Sequence, residues 1–330
     1  MKYVSTLNMD HNTWLEHRQT GIGGSDVSSI LGCNPWQTPL DVYNSKVGPV
    51  VSIEGNSRMI AGNKLENVIA EYWEEATGLK TKNDHKIRYH PEHDFLLANV
   101  DRVITVPTPD NPLHDDSVKL IEKSNWTNIN KGLGILEVKT AGYHSYKNWN
   151  GAIPDYYYCQ LQHYLNVTGY TWGEFAVLVD GHEFHRHSFD RDDEFIELMT
   201  RKLVDFWQHY VLAETPPPPT NDSDLKNLYP SHIPEKQINA EPNVVDLIEK
   251  LKAHKELIAT TEKTKRECEL ELKKFMGDAE AIMFQDRALV TWRQGKARKH
   301  FDKKGLGQDQ PDLLEKYTKE MPGNRTFLIK

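Results

Sequence analysis

Glu137 and Lys139 stand two residues apart in Ile135-Leu136-Glu137-Val138-Lys139, a short apolar stretch that ends in charge. In a β-strand, residues two apart face the same side. The carboxylate and the ammonium therefore project together, with Ile135 on their face and Leu136 and Val138 on the other. Taken alone, such a triplet reads most simply as an ion pair at a strand end, which is worth little. Two further carboxylates change the reading. Asp101 lies inside the apolar stretch 95–105, where an aspartate is unfavourable unless it is paired or bound to a cation. A strand hairpin would bring it beside Glu137. Glu66 follows in Gly62-Asn63-Lys64-Leu65-Glu66, on a helical pattern. Three carboxylates can hold one or two magnesium ions, which prefer oxygen ligands, with manganese as a substitute. Ions held there polarise a phosphate ester, activate water and stabilise the leaving oxygen. Lys139 would orient or deprotonate that water and oppose the developing negative charge.

These residues need elements to position them. Periodicity predicts a helix over 57–77, with Leu65, Ile69, Tyr72 and Trp73 on one side and a stop near Gly78. Strands are expected over 86–89, 95–105 and 133–139. A helix over 156–167 leads to a hairpin of 171–179 and 182–189 around Asp180-Gly181, and an amphipathic helix follows over 192–210. Near the start, Gly21-Ile22-Gly23-Gly24-Ser25-Asp26 reads as a tight loop, with Ser25 or Asp26 capping a short helix over 27–31. Residues 107–131 are polar and read as a loop insertion. The run Pro216–Pro219 opens a stretch without periodicity. Val244, Leu247, Leu251, Ile258, Cys268, Leu272 and Phe275 then mark one long helix ending at Gly277, a candidate for subunit association. Residues 283–292 read as a strand pair, and a basic stretch follows with Lys296, Arg298, Lys299, Lys303 and Lys304. The organisation expected is an α/β domain with a central mixed sheet over 1–213, a linker over 214–241, and a long-helix and β-hairpin region over 242–330.

The 330 residues suffice for one buried core of about 200 residues plus an appendage. No apolar run approaches the roughly 20 residues that span a bilayer, and residues 1–10 lack the order of a signal peptide. A cytoplasmic protein is expected. Cys33, Cys159 and Cys268 form no CxxC pair, which excludes a zinc ribbon or a four-cysteine cluster; each is expected to act as a small apolar residue. The histidines His182, His185 and His187, and likewise His90 and His93, have no cysteine or carboxylate pattern to complete a metal site. Tyr156, Tyr157, Tyr158 and Tyr164 at helical spacing suit a core better than a base-stacking face. Of the net charge of −8, residues 1–240 carry about −11 and residues 241–330 about +3. Any nucleic-acid contact must therefore come from local basic patches.

Asp101 followed by Glu137-Val138-Lys139 resembles the core of the PD-(D/E)XK nucleases. The likeness is greatest to one branch, the phage lambda exonuclease and YqaJ-type viral recombinases. It runs over roughly residues 14–200. Gly21–Val27 with Pro35-Trp36 and Thr38-Pro39 is similar to that branch's N-terminal signature. Gly62–Glu66 with Glu71-Tyr72 resembles its acidic helix, and Pro154, Tyr157, Gln160-Leu161-Gln162 and Tyr164 its glutamine-bearing helix. The resemblance implies that Glu66, Asp101 and Glu137 are acidic active-site residues and metal ligands, joined by the backbone carbonyl of Val138. It implies that Lys139 is catalytic and that Gln160 supports it. It also implies that Arg18 and Ser25 hold the 5′-phosphate of a DNA end, as a guanidinium fork and a hydroxyl beside a helix N-terminus can. Two positions depart from the pattern: Val100 stands where the superfamily has its proline, and Asn99 where lambda-type enzymes have a serine.

The activity so implied is magnesium-dependent 5′-to-3′ digestion of one strand of linear duplex DNA, in phage-type recombination by single-strand annealing. A ring-shaped homo-oligomer enclosing the duplex would need only a basic channel, and the implied partner is a single-strand annealing protein. A PD-(D/E)XK endonuclease, an exonuclease of other polarity and a DNA-binding module without catalysis are the alternatives. The absent cysteine cluster disfavours a Cas4-like nuclease.

Overall fold

One mostly apolar strand, interrupted only by Gly173 and Glu174, lies inside the main sheet. All eight residues of Trp172–Val179 are buried, as in a strand covered on both faces. The computed structural model describes residues 2–50, 57–105, 131–320, 323 and 325–330. They fall into two compact units, Met1–Leu228 and Tyr229–Lys330.

In chain order the first unit contains β1 (Tyr3–Ser5), α1 (His11–Gln19), α2 (Gly24–Ile30), α3 (Pro39–Val47), α4 (Ser57–Thr77), β2 (Lys80–Asn83), β3 (Lys86–Tyr89), β4 (Leu97–Ala98) and β5 (Arg102–Thr105). There follow β6 (Gly134–Ala141), α5 (Tyr143–Lys147), α6 (Asp155–Thr168), β7 (Trp172–Val179), β8 (Glu183–Asp190), α7 (Asp193–Phe206) with a π-helical turn over Trp207–Val211, and α8 (Asp222–Leu228). The main sheet has the order β2-β5-β6-β7-β8. Only β6 and β7 are parallel, with Glu137 opposite Phe175; the other pairs are antiparallel. This is the α/β core with a central mixed sheet that the sequence predicts.

Side-chain alternation splits the core into two layers. Ile135, Phe175, Val177 and Val179 pack with α2, α3, α6 and α7. Leu136, Trp172, Ala176 and Leu178 pack with Ile69 and Trp73 of α4. Glu137 and Lys139 share the parity of Ile135 and therefore face the layer that holds α6. Local signals set the helix ends. Asp10 accepts from the Asn12 and Thr13 amides at 3.0 Å, Thr38 and Asp41 cap α3 reciprocally, and Gly169 ends α6 at φ 72°.

Several expectations change. The stretch 95–105 is not one strand: β4 belongs to a small sheet of order β1-β3-β4 and β5 to the main sheet, and Asn99–Asp101 crosses between them. The tight loop expected over 21–26 is shorter, because helix α2 already begins at Gly24. Ile22 bridges to the extended chain, with its amide on the Phe95 carbonyl at 2.7 Å and its carbonyl receiving the Leu97 amide at 2.8 Å. Helix α2 consequently starts earlier than expected. Gly23 is its cap, and Asp26 accepts the Gly23 amide from the third position. Residues 222–228 form a helix within the stretch expected as linker. Its buried Asp224 accepts from Thr38 Oγ1 and the Thr220 amide at 2.8 Å, which ties it to the first unit. Cys33 and Cys159 are not isolated apolar residues: their Sγ atoms lie 3.6 Å apart, while Cys268 is exposed. The insertion expected over 107–131 lies outside the described residues, apart from Lys131.

The second unit contains α9 (Pro242–Met276), the hairpin of β9 (Ala281–Phe284) and β10 (Arg287–Thr291), α10 (Lys303–Asp309) and α11 (Pro311–Tyr317). Pro242 opens the 35-residue helix and Gly277 closes it; along it only Met276 is buried. Among the described residues no helix is long and apolar enough to cross a membrane.

Candidate active site

The break between β4 and β5 releases Asp101 from strand geometry and turns its carboxylate toward β6, where Oδ2 accepts the Val138 amide at 2.9 Å. Glu137 is 2% exposed. Its Oε1 receives Lys139 Nζ at 2.7 Å and Gln160 Nε2 at 2.7 Å. Gln160 Oε1 faces the same ammonium at 3.3 Å, and its amide nitrogen also reaches the Tyr164 hydroxyl at 3.0 Å. The Lys139 ammonium sits 4.8 Å from the centre of the Tyr157 ring. Helix α6 thus contributes Tyr157, Gln160 and Tyr164 from one face, at the three-and-four spacing of a helix.

A cavity of about 390 Å³ opens onto this cluster. Trp14, Arg18, Ser25, Glu66, Asp101, Glu137, Gln160 and Tyr164 all line it. Six of the residues singled out from sequence, Arg18, Ser25, Glu66, Asp101, Glu137 and Gln160, line it, although they come from α1, α2, α4, the β4–β5 crossing, β6 and α6; Lys139 and Val138 do not line it, and Lys139 reaches the cluster through Glu137 and Gln160. A larger cavity of about 620 Å³, bordered by His90, His93, Arg191 and Arg201, shares no residue with it. The three acids crowd one another. Burial and then the Asp101 charge push the Glu137 carboxyl up to about 8, against the pull of Lys139. Burial raises Asp101 as well, opposed by Lys139. Burial and then Asp101 raise Glu66. On Lys139 burial acts downward, but Glu137 and Asp101 outweigh it and hold the ammonium above its ordinary range.

The donor set fits a hard divalent cation. Glu137 Oε2 is buried with no hydrogen-bond partner among the described residues, and the half-buried Asp101 carboxylate acts on it electrostatically. The contrast with Glu174 is instructive. That acid is equally buried, but Trp73 Nε1 serves it at 2.7 Å and the Arg186 guanidinium at 3.1 and 3.2 Å. Among the described residues no three His, Cys, Asp or Glu side chains converge as a finished cage. The cluster offers two close carboxylates with a third at the cavity wall, which suits an ion that keeps several waters.

Beside the acids lies a second constellation. Arg18 Nη2 donates to Ser25 Oγ at 2.8 Å, while its Nε is buried without a partner among the described residues. The guanidinium lies 5.3 Å from the Trp14 ring, and Trp14 Nε1 donates to Asn99 Oδ1 at 2.9 Å. A Cβ on Gly23 would stand 3.0 Å from the guanidinium carbon, and one on Gly24 would stand 2.4 Å from the Tyr164 ring. The glycines let α1 and α6 close on α2.

A family model described as the YqaJ-like viral recombinase domain matches residues 13–171. Over 320 residues the chain is 33% identical to a Bacillus subtilis (strain 168) protein described as uncharacterized protein YqaJ, covering 94% of this chain and 92% of that one. The chain belongs to the YqaJ family. Among solved structures it is similar to an alkaline exonuclease from Laribacter hongkongensis, at 17% identity and a TM-score of 0.47 over 61% of this chain and 92% of that one. It is also similar to a phage-related exonuclease from Haemophilus somnus 129PT, at 14% identity and a TM-score of 0.40 over 59% and 95% of the two chains.

Sequence reasoning missed part of what this YqaJ-family chain assembles. Lys46 of α3 is buried against Asp26 at 2.8 Å, and its ammonium also donates to the Arg18 carbonyl at 3.1 Å. On Asp26 burial acts upward, but Lys46 and Arg18 overcome it and keep the carboxyl below its ordinary value. Nothing in the sequence marked Lys46, because a lysine in the last turn of a helix is commonplace. Thr6, Asn83 and His85, which also line the cavity, gave no signal either. Of the four tyrosines, Tyr164 is buried as expected, whereas Tyr156 and Tyr157 are half-buried near Lys139.

Proposed function

We propose that the chain is a magnesium-dependent deoxyribonuclease that digests linear duplex DNA from its 5′ ends. The observation that carries the reading is the buried Glu137 Oε2, without a hydrogen-bond partner among the described residues, in a cavity that Asp101 and Arg18 also line. Membership of a family described by its viral recombinase domain supports it.

In this reading Asp101, Glu137, the Val138 carbonyl and Glu66 hold the cation. When bound, magnesium supplies Lewis acidity to the phosphate and to a water, and manganese can replace it. Lys139 places its charge where negative charge develops on the phosphoryl oxygens. Gln160 holds Lys139 and Glu137 in register from α6. Arg18 and Ser25 grip the terminal 5′-phosphate, which sets which phosphodiester lies over the acids. The physiological setting is phage-type recombination, with a ring of subunits around the duplex and a single-strand annealing protein taking the product.

The test uses duplexes labelled on either strand end, together with a closed circle of the same sequence. In magnesium the account expects nucleotides released from 5′ ends and an intact circle. Cleavage of the circle would make the chain an endonuclease, and release from 3′ ends would reverse the polarity.

A further inference from the structure

Arg18 has an acidic neighbour that ought to disable it. Asp26 Oδ1 lies 3.7 Å from Arg18 Nη2, and the aspartate side chain is 8% exposed. A buried carboxylate this close to a guanidinium would pair with it and cancel the charge that an incoming anion needs. Three carboxylates, Glu66, Asp101 and Glu137, face the same cavity, so an anionic end meets repulsion there as well.

Lys46 changes that balance. Its side chain is 4% exposed. Its ammonium lies on the other carboxylate oxygen, Asp26 Oδ2, at 2.8 Å. The same oxygen accepts the Gly23 amide at 2.9 Å. The remaining Lys46 contact is to the backbone carbonyl of Arg18 at 3.1 Å. Gln19, next to Arg18, pins α1 to α3 by donating to the Gly48 and Ser45 carbonyls at 2.5 and 3.2 Å. The aspartate is thus committed to Lys46 and to the glycine loop. The Arg18 guanidinium, bonded to Ser25 Oγ, keeps a buried Nε with no partner among the described residues.

We propose that Lys46 is a specificity-determining residue for the DNA end: it neutralises Asp26, so that the Arg18–Ser25 site keeps a net positive charge for a terminal phosphate. The inference rests on the reading of Arg18 and Ser25 as the 5′-phosphate site. Arg18, Lys46 and Asp26 carry +1 together. Lys46→Met brings the trio to zero. Lys46→Met with Asp26→Asn returns it to +1, and the asparagine carbonyl can still accept the Gly23 amide.

The experiment measures anisotropy of the full-length protein with blunt fluorescent duplexes bearing a 5′-phosphate or a 5′-hydroxyl, in EDTA to prevent turnover. One charge-assisted contact corresponds to a preference of about ten-fold for the phosphate in the wild type. Lys46→Met should bring the two affinities to within about two-fold, and the double variant should recover most of the preference. A wild type that ignores the phosphate overturns both this role and the end-binding reading. A wild type that prefers phosphate, with Lys46→Met retaining the preference, overturns the role of Lys46 alone. Loss in Lys46→Met without recovery in the double variant also overturns it, since charge is then not what Lys46 supplies. Should Lys46→Met fail to fold in a thermal melt, Asp26→Asn decides: it must retain or sharpen the preference, and a loss refutes the proposal.

Discussion

His163 gives a prediction whose size follows from its surroundings. It is fully buried on α6 and its Nε2 donates to the Leu97 carbonyl at 2.9 Å, tying the helix that carries Gln160 to the strand that precedes Asp101. Burial holds the imidazole neutral and pushes its pKa from 6.5 down to about 4. The unfolded chain takes up a proton near pH 6.5, whereas the folded chain resists until about 4. Stability is therefore complete above pH 6.5, falls as the pH drops through this window, and levels off below about 4. At about 1.4 kcal/mol per pH unit, the loss attributable to this residue is about 3 kcal/mol. The assay is urea unfolding of wild type and His163→Gln at a series of pH values from 7 to 4. Glutamine keeps a donor for Leu97 but cannot titrate, and every other titrating group cancels in the comparison. Whatever the variant costs at pH 7, the stability difference between the two proteins should shift by about 3 kcal/mol toward the variant by pH 4. Parallel curves would refute the reasoning.

Three further outcomes are expected. Asp101→Asn removes a repelling charge yet keeps an acceptor for the Val138 amide; it should raise the melting temperature in EDTA by about 2–4 °C, abolish the added stability that magnesium gives the wild type, and end hydrolysis. Gly24→Ala forces a methyl group into the buried Tyr164 ring, so it should cost about 1–3 kcal/mol in urea unfolding and lower activity through displaced Gln160. Arg18→Ala should remove the preference for 5′-phosphate over 5′-hydroxyl ends in digestion rates, and an unchanged preference would take Arg18 out of the end-binding site.

Much of this arrangement is legible in the sequence, for physical reasons. The period-two pattern of β6 sets which way Glu137 and Lys139 point, and the two strand patterns around Asp180-Gly181 give the β7–β8 hairpin. An aspartate within an apolar stretch called for a partner, and Asp101 accepts the Val138 amide. The pattern could not show that the stretch 95–105 divides between two sheets, because both pieces are short and the crossing depends on β4 pairing with β3 while β5 pairs with β2 and β6. The glycines of 21–24 suggested a turn, but their requirement is for close approach to Arg18 and Tyr164, a tertiary fact. Lys46 was invisible for the same reason: only the packing of α3 on α1 and α2 brings it to Asp26. Likewise, nothing in their spacing announced that Cys33 and Cys159 would meet.

The central claim is that Glu137 and Lys139 work as one hydrolytic centre. The most direct measurement is the rate of nucleotide release from 5′-phosphorylated linear duplex in magnesium, by wild type and Lys139→Ala. Removing one preorganised charge of this kind lowers turnover by about 100- to 1,000-fold, and a loss of that order is the expected result. Equal rates in the two proteins, or no release by the wild type, would contradict the account.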